Sequence, residues 1–295
     1  MRALTVTLNA ALDVTYRVDA LVPGDTHRVT EVAVRAGGKG VNVARMLCAL
    51  GVPALATGLT GGAAGQVLRE DLDRSGVPQA MFPIARETRR TVAVVTGSGE
   101  ATLFAEPGPV VTPEEWSGFL RHYTELAATA DVVVLSGSLP QGVPDDAYAT
   151  LVRLAPVPVV LDADGRALSL GAAAGPAVIT PNRGELTAAS DVDDPLALGA
   201  AAALVSDGAR GMTAHTAGGV WTAAPPEVVT GNPTGAGDAA VAALVAGWHL
   251  PWPRRLAEAV ALSAAAVRAP LAGDFDRAFY DQHRADVTPR PVPED

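Results

Sequence analysis

The chain has 295 residues, 48% of them hydrophobic, and a formal net charge of −10. That is enough apolar material for one large α/β domain, and the acidic balance argues against nucleic acid or an anionic membrane surface as the main partner. The lone cysteine, Cys48, excludes an internal disulfide framework; no apolar run reaches the ~18 residues of a membrane span, and the opening residues alternate like a strand rather than a signal peptide, so a cytoplasmic location is expected.

Residues 4–8 read as a first strand. Two stretches, 14–35 and 80–105, follow a period-2 pattern without helices, the second with a hairpin turn at Gly97-Ser98-Gly99-Glu100. They predict a small accessory sheet, a lid or dimer surface, with edge strands of the main sheet as the alternative. Further strands are expected at 55–59, 132–135, 157–161, 178–179 and 212–214. Helices are expected at 40–50, 63–75, 113–129, 145–154, 195–205, 236–249 and 254–268. The helix at 113 has a clear start, with Thr112 as N-cap, Pro113 in the first turn and Glu115 three residues on. Strands alternating with helices predict an α/β fold, a mainly parallel sheet with helices on both faces, whose ligands bind at the carboxyl ends of the strands. Residues 1–288 would form one domain, and the Pro-rich, charged tail 289–295 is expected to be disordered.

Five polar clusters fall at strand ends or before helices. Asn9-Ala10-Ala11-Leu12-Asp13 follows the first strand. Gly37-Gly38-Lys39-Gly40-Val41-Asn42 precedes a helix, and Lys39 is the only lysine among 22 basic residues. A compact ammonium between glycines suits a phosphate or sugar oxygen in a way the larger guanidinium fork does not. Ser136-Gly137-Ser138 and Pro181-Asn182-Arg183-Gly184-Glu185 each follow an apolar run. The last cluster, Thr234-Gly235-Ala236-Gly237-Asp238, opens an apolar helix. Free N–H groups at such a helix start attract an anion, so the carboxylate of Asp238 there suggests a chemical task rather than static binding. Asp13 also suits an Asx-turn, and the Asn182/Glu185 spacing is also that of a helix cap. Cys48 reads as core packing, and the five histidines show no metal-ligand spacing.

Taken together, these blocks resemble the PfkB family of ribokinase-like sugar kinases over nearly the whole chain. The two that carry the likeness are Gly37-Gly38-Lys39-Gly40-x-Asn42-x-Ala44-Arg45 and Thr234-Gly235-Ala236-Gly237-Asp238. The resemblance is closest to the branch holding 1-phosphofructokinase, tagatose-6-phosphate kinase and the minor 6-phosphofructokinase. It implies a ribokinase-like fold with a β lid, and ATP-dependent phosphorylation of a ketohexose phosphate with Mg2+. Asp238 would be the base, and the N–H groups of Gly235, Ala236 and Gly237 the anion hole. Asp13, Gly37, Gly38, Lys39 and Asn42 would hold the sugar, Arg89 would reach it from the lid, and Ser138 would contact its phosphate. Asn182 and Glu185 would position Mg2+ and the ATP phosphates, through water. Ser206, Gly208, Gly211 and Thr234 would line the nucleotide site. Thr180 stands where relatives often carry lysine, and Asn232-Pro233 is nearer the tagatose-6-phosphate kinases. A homodimer through the lid is compatible with this picture.

Gly235-Ala236-Gly237-Asp238-Ala239-Ala240 also fits a loose dinucleotide fingerprint. It comes too late in the chain for the βαβ units such a site needs, and Asp238 would oppose a pyrophosphate. A kinase of an unphosphorylated sugar or nucleoside, and a non-catalytic sugar-phosphate sensor, are the remaining alternatives.

Overall fold

The computed structural model describes residues 1–189 and 194–293. The chain enters through β1 (Ala3–Thr7), leaves the main sheet for β2 (Ala11–Arg17) and β3 (Glu31–Gly37), and returns through α1 (Lys39–Ala49), β4 (Ala54–Gly61), α2 (Gly62–Arg74) and β5 (Phe82–Ile84). It leaves again for β6 (Arg89–Val95) and β7 (Ala101–Ala105). Then α3 (Pro113–Ala127), β8 (Val132–Ser136), α4 (Ala147–Leu154), β9 (Val159–Asp162), α5 (Gly165–Ala172), β10 (Val178–Ile179) and α6 (Arg183–Ala189) alternate. After β11 (Ala202–Ser206) come the antiparallel β12 (Met212–Thr216) and β13 (Gly219–Ala223), then α7 (Ala236–Ala246), α8 (Trp252–Val267), α9 (Arg277–His283) and a short β14 (Arg290–Pro291).

Ten strands form the main sheet in the order β14-β13-β12-β11-β10-β9-β8-β1-β4-β5, and β2, β3, β6 and β7 form a separate four-stranded sheet in the order β3-β2-β6-β7. The six steps from β11 across to β5 are parallel. Parallel strands are buried on both faces, which is why β8 is the uninterrupted run Val132-Val133-Val134-Leu135 with every residue at 0% exposure. One apolar layer joins α1, α7 and α8 to the sheet through residues such as Val41, Leu244 and Leu262; the other joins α3, α4 and α5 through Phe119, Tyr148 and Leu168. The expected α/β architecture with a small β lid is therefore present.

Local signals explain several boundaries. Thr112 accepts from the N–H of Glu115 while Glu115 accepts from the N–H of Thr112, the reciprocal cap anticipated at the start of α3. The expected helix at 195–205 is absent. A 3-10 turn at Pro195–Leu198 precedes the strand β11, whose Ala202, Ala203, Leu204 and Val205 are all buried. A short apolar run of small residues fits a buried strand or a buried helix equally by periodicity, and sheet pairing decides it. In the tail expected to be disordered, Arg290 and Pro291 pair with Thr222 and Trp221; residues 294 and 295 lie outside the described residues. Of the stretch 80–105, β5 joins the main sheet and only β6 and β7 belong to the lid. No helix among the described residues is long and apolar enough to cross a membrane.

Candidate functional site

The strand order reverses at β1, which has β4 on one side and β8 on the other. Crevices form at the carboxyl ends of strands where such a reversal occurs. Asn9 follows β1 there, Ser136 ends β8, Asp162 ends β9, Asn182 follows β10 and Ser206 ends β11. The lid hangs over the same edge because β2 continues directly from the loop after β1.

The lid presents Asp13. It lies opposite Arg35 on β3 and Thr91 on β6, so these three side chains share one face. Burial pushes the Asp13 carboxyl up to about 6, against a hydrogen bond from Thr91 and the fields of Arg89 and Arg35. Its carboxylate lies so close to Gly37 that a Cβ there would sit 2.0 Å from Oδ2, so any other residue at 37 would push the Asp13 side chain from this position. Arg89 does not pair with Asp13 directly. Its Nε donates to the Asn9 carbonyl at 3.3 Å and its Nη1 to Thr91 Oγ1 at 3.4 Å, which holds the guanidinium beside the site. Ser138 Oγ accepts from Asn9 Nδ2 at 3.0 Å.

Beneath the lid, Lys39 opens α1 with Gly38 as its N-cap. Its Nζ lies 3.2 Å from Asp162 Oδ1, and Ser136 Oγ donates to Asp162 Oδ2 at 3.3 Å. Burial works to lower the Lys39 pKa, but the combined fields of Asp162, Glu185 and Asp238 outweigh it and push the ammonium up to about 12. One turn on, Asn42 Nδ2 donates to Asp238 Oδ2 at 2.8 Å. Asp238 lies in the first turn of α7 and is 5% exposed. Burial pushes its carboxyl up to about 7, aided by the negative charges of Asp162 and Asp13, while the Asn42 hydrogen bond and Lys39 pull the other way.

The helix that carries Asp238 begins at Gly235, whose φ of 88° is left-handed and favours glycine. An anion hole is expected from the N–H groups of Gly235, Ala236 and Gly237. The N–H groups of Gly235 and Gly237 have no partner among the described residues, whereas that of Ala236 donates to the Pro233 carbonyl at 3.2 Å. On the far side of the loop lies a cleft of about 740 Å³, lined by Asn182, Ser206, Gly208, Gly211, Ala236 and Gly237 among others, with Val229, Val260 and Val267 as apolar wall. Four of the residues expected at a nucleotide are thus gathered there. Glu185 and Thr234 are not in the lining. Asn182 and Glu185 form the helix cap that their spacing also allows, and it is reciprocal: Asn182 Oδ1 accepts from the Glu185 N–H, and Glu185 Oε2 accepts from the Asn182 N–H, both at 2.8 Å. Glu185 Oε1 takes no hydrogen bond among the described residues and stays available.

Two participants were not singled out from the sequence. Asp162 looked like the polar residue that ends an apolar strand; only the fold brings it to Lys39, 123 positions away. Asn9 stood within a flagged cluster, but no spacing rule distinguished it from a turn residue.

A mainly parallel sheet with a lid, a buried carboxylate at a helix start and a cleft behind that helix define a phosphotransferase acting on small molecules. The description "pfkB family carbohydrate kinase" matches residues 4–275, and the chain belongs to that family. It is an enzyme of the ATP-dependent sugar kinase class. Phosphofructokinase-2 from Escherichia coli, solved in complex with potassium, is 27% identical over 97% of this chain and 98% of that one, with a TM-score of 0.90. The same enzyme in complex with fructose-6-phosphate matches with a TM-score of 0.87, also at 27% identity, 97% and 98% coverage. A Thermotoga maritima chain described as "Possible 1-phosphofructokinase" is 29% identical over 99% of this chain and 100% of that one, with a TM-score of 0.86.

Proposed function

We propose that the protein transfers a phosphoryl group from ATP to a primary hydroxyl of a ketohexose phosphate, giving the bisphosphate. The observation that carries this reading is the position of Asp238. It is buried, held by Asn42, and lies between Asp13 of the lid and Lys39 of α1 on one side and the cleft at Asn182 and Ser206 on the other. Asp13 accepts hydrogen bonds from sugar hydroxyls, two lone-pair-rich oxygens suiting a diol. Lys39, Arg89 and Ser138 supply the cation and donors that an acceptor's own phosphate needs in a chain of net charge −10. The similarity to the Escherichia coli enzyme solved with fructose-6-phosphate supports a phosphorylated acceptor.

Asp238 takes the proton of the attacking hydroxyl onto its carboxylate, which a pKa of about 7 makes an effective base near neutral pH. The Gly235 and Gly237 N–H groups face the charge that develops on the transferred group. Lid closure excludes water and limits hydrolysis. Mg2+ fits this donor set. No cluster of three or more His, Cys, Asp or Glu arranged to hold a metal occurs among the described residues. Mg2+ commonly keeps its waters and takes one or two carboxylates with the substrate's phosphates. Glu185, through its free Oε1, and Asn182 would hold it through water, and the ion would neutralise phosphate charge.

A lid-mediated homodimer accompanies this reading. Val34 and Val32 on β3 lie in register with Val14 and Tyr16, and those with Val92, Val94 and Phe104, on the face turned away from Asp13. Val32, Val34 and Phe104 are 57%, 45% and 55% exposed, an apolar stripe of the kind a second copy covers.

The test is ADP release across tagatose 6-phosphate, fructose 1-phosphate, fructose 6-phosphate and their unphosphorylated sugars. Turnover on one or more of the phosphates is expected. Turnover confined to an unphosphorylated sugar, or none with ATP, contradicts the reading.

A further inference from the structure

Three consecutive residues after α8 each touch a different part of the site. Ala272 backs Gly235: a Cβ on that glycine would sit 3.1 Å from the Ala272 Cα. Gly273 backs Asn42: a Cβ there would sit 2.9 Å from Asn42 Oδ1 and 3.4 Å from the Arg45 Cδ. Asp274 clamps the lid: its two carboxylate oxygens accept from Arg35 Nη1 and Nη2 at 2.7 and 2.6 Å. Arg35 lies directly opposite Asp13 on the lid sheet and two residues before Gly37.

We propose that Arg35 and Asp274 are positioning residues that couple the lid to the loop carrying Asp238, with Ala272 and Gly273 as the wedge between them. Neither side chain touches the reacting groups. Their bidentate pair fixes where the lid strand β3 stands relative to the segment that supports Gly235 and Asn42. A planar fork-to-fork pair sets distance and orientation together, which a single contact does not. When the lid moves, the wedge moves with it, and both the Gly235 turn and the hydrogen bond from Asn42 to Asp238 respond. The Arg35 side chain is 17% exposed and that of Asp274 44%, so the pair is partly shielded from the solvent screening that weakens surface bridges. Arg45 adds a second brace. Its Nη2 lies 3.0 Å from Asp71 Oδ2, which also accepts from the N–H of Ala36, the residue after Arg35.

This coupling rests on the proposed function for its kinetic consequence but not for its structural one, so two readouts separate the failures. The first is amide hydrogen exchange of the free protein. Asp274→Asn is expected to speed exchange by about tenfold at both β3 and residues 235–238, with the strands β8 and β9 unchanged. Faster exchange confined to residues 272–276 overturns the coupling, whatever the enzyme's substrate. The second is kinetic, with the acceptor phosphate and ATP. Asp274→Asn and Arg35→Gln are each expected to raise the acceptor KM about tenfold and to lower the ratio of phosphoryl transfer to ATP hydrolysis, with the nucleotide KM unchanged. The double variant is expected to match the singles rather than multiply them, and Arg35→Lys, with charge but no fork, to fall between. Folded variants with wild-type acceptor KM and wild-type transfer-to-hydrolysis ratio, equal losses for acceptor and nucleotide, or additive effects overturn it. A wild-type protein that transfers to no sugar phosphate contradicts the functional reading instead, and leaves the exchange result to decide the coupling.

Discussion

Asn42 donates to Asp238 across 196 positions of sequence, from the first turn of α1 to the first turn of α7. This one bond joins the helix that follows the lid to the helix that carries Asp238, the proposed base. It also tells which oxygen is held: Oδ2 accepts from Asn42, and in the proposed reaction Oδ1 meets the hydroxyl.

The raised pKa of Asp238 makes a stability prediction. The folded carboxyl titrates at about 7, above its usual value of 3.8, so below about pH 4 both folded and unfolded forms are protonated and nothing is lost. As pH rises towards 7 the unfolded chain gives up its proton first, and the folded state is progressively destabilised. Asp238→Asn removes that cost. The variant is expected to be more stable than wild type by on the order of a few kcal/mol at pH 8, with the advantage shrinking towards pH 4, as read by denaturant unfolding at several pH values.

Asp162 should contribute to the pH at which the enzyme works. Wild-type kcat/KM is expected to rise with pH through about 7, as Asp238 loses its proton. Asp162→Asn withdraws a negative charge that holds the Asp238 proton on, so the acidic limb of the profile is expected to move to lower pH. The same substitution deprives Lys39 of its partner at 3.2 Å, so the acceptor KM is expected to rise. An unmoved limb would separate Asp162 from the base.

At Lys39 charge alone should not suffice. The ammonium meets Asp162 at the start of a helix, beside the proposed acceptor site, where the guanidinium fork has a different reach. Lys39→Arg is expected to weaken acceptor binding about tenfold or more while leaving nucleotide binding intact, checked by titration calorimetry with each ligand.

The lid stripe predicts an oligomeric change. Val34→Asp places a charge in the centre of the apolar face without touching Asp13, which points the other way. Sedimentation velocity is expected to show a dimer for wild type and a monomer for the variant; a wild-type monomer would contradict the dimer.

Much of this architecture was legible because the chain alternates sharply. β8 and β4 declare themselves as apolar runs, and α3 by its cap at Thr112 and Glu115. β11 was not legible, since its alanines suit a helix by propensity and only pairing with β10 and β12 makes them a strand. The helices α5, α6 and α9 went unread because they are short, from seven to eight residues, and give too few turns for a period to show. In the site, Lys39, Asn42 and Asp238 stood in glycine-rich blocks that mark close backbone approach. Asp162 and Asp274 carry no such local mark. Each acquires its partner only through long-range folding, Asp162 with Lys39 and Asp274 with Arg35.

In the proposed reaction Asp238 removes the proton from the sugar hydroxyl. Its most direct test is single-turnover phosphoryl transfer by Asp238→Asn, with the acceptor phosphate and ATP at saturation and both dissociation constants measured separately. Transfer is expected to slow by ~100-fold or more, as for the loss of a general base, with both dissociation constants close to wild type. Transfer at the wild-type rate would contradict it.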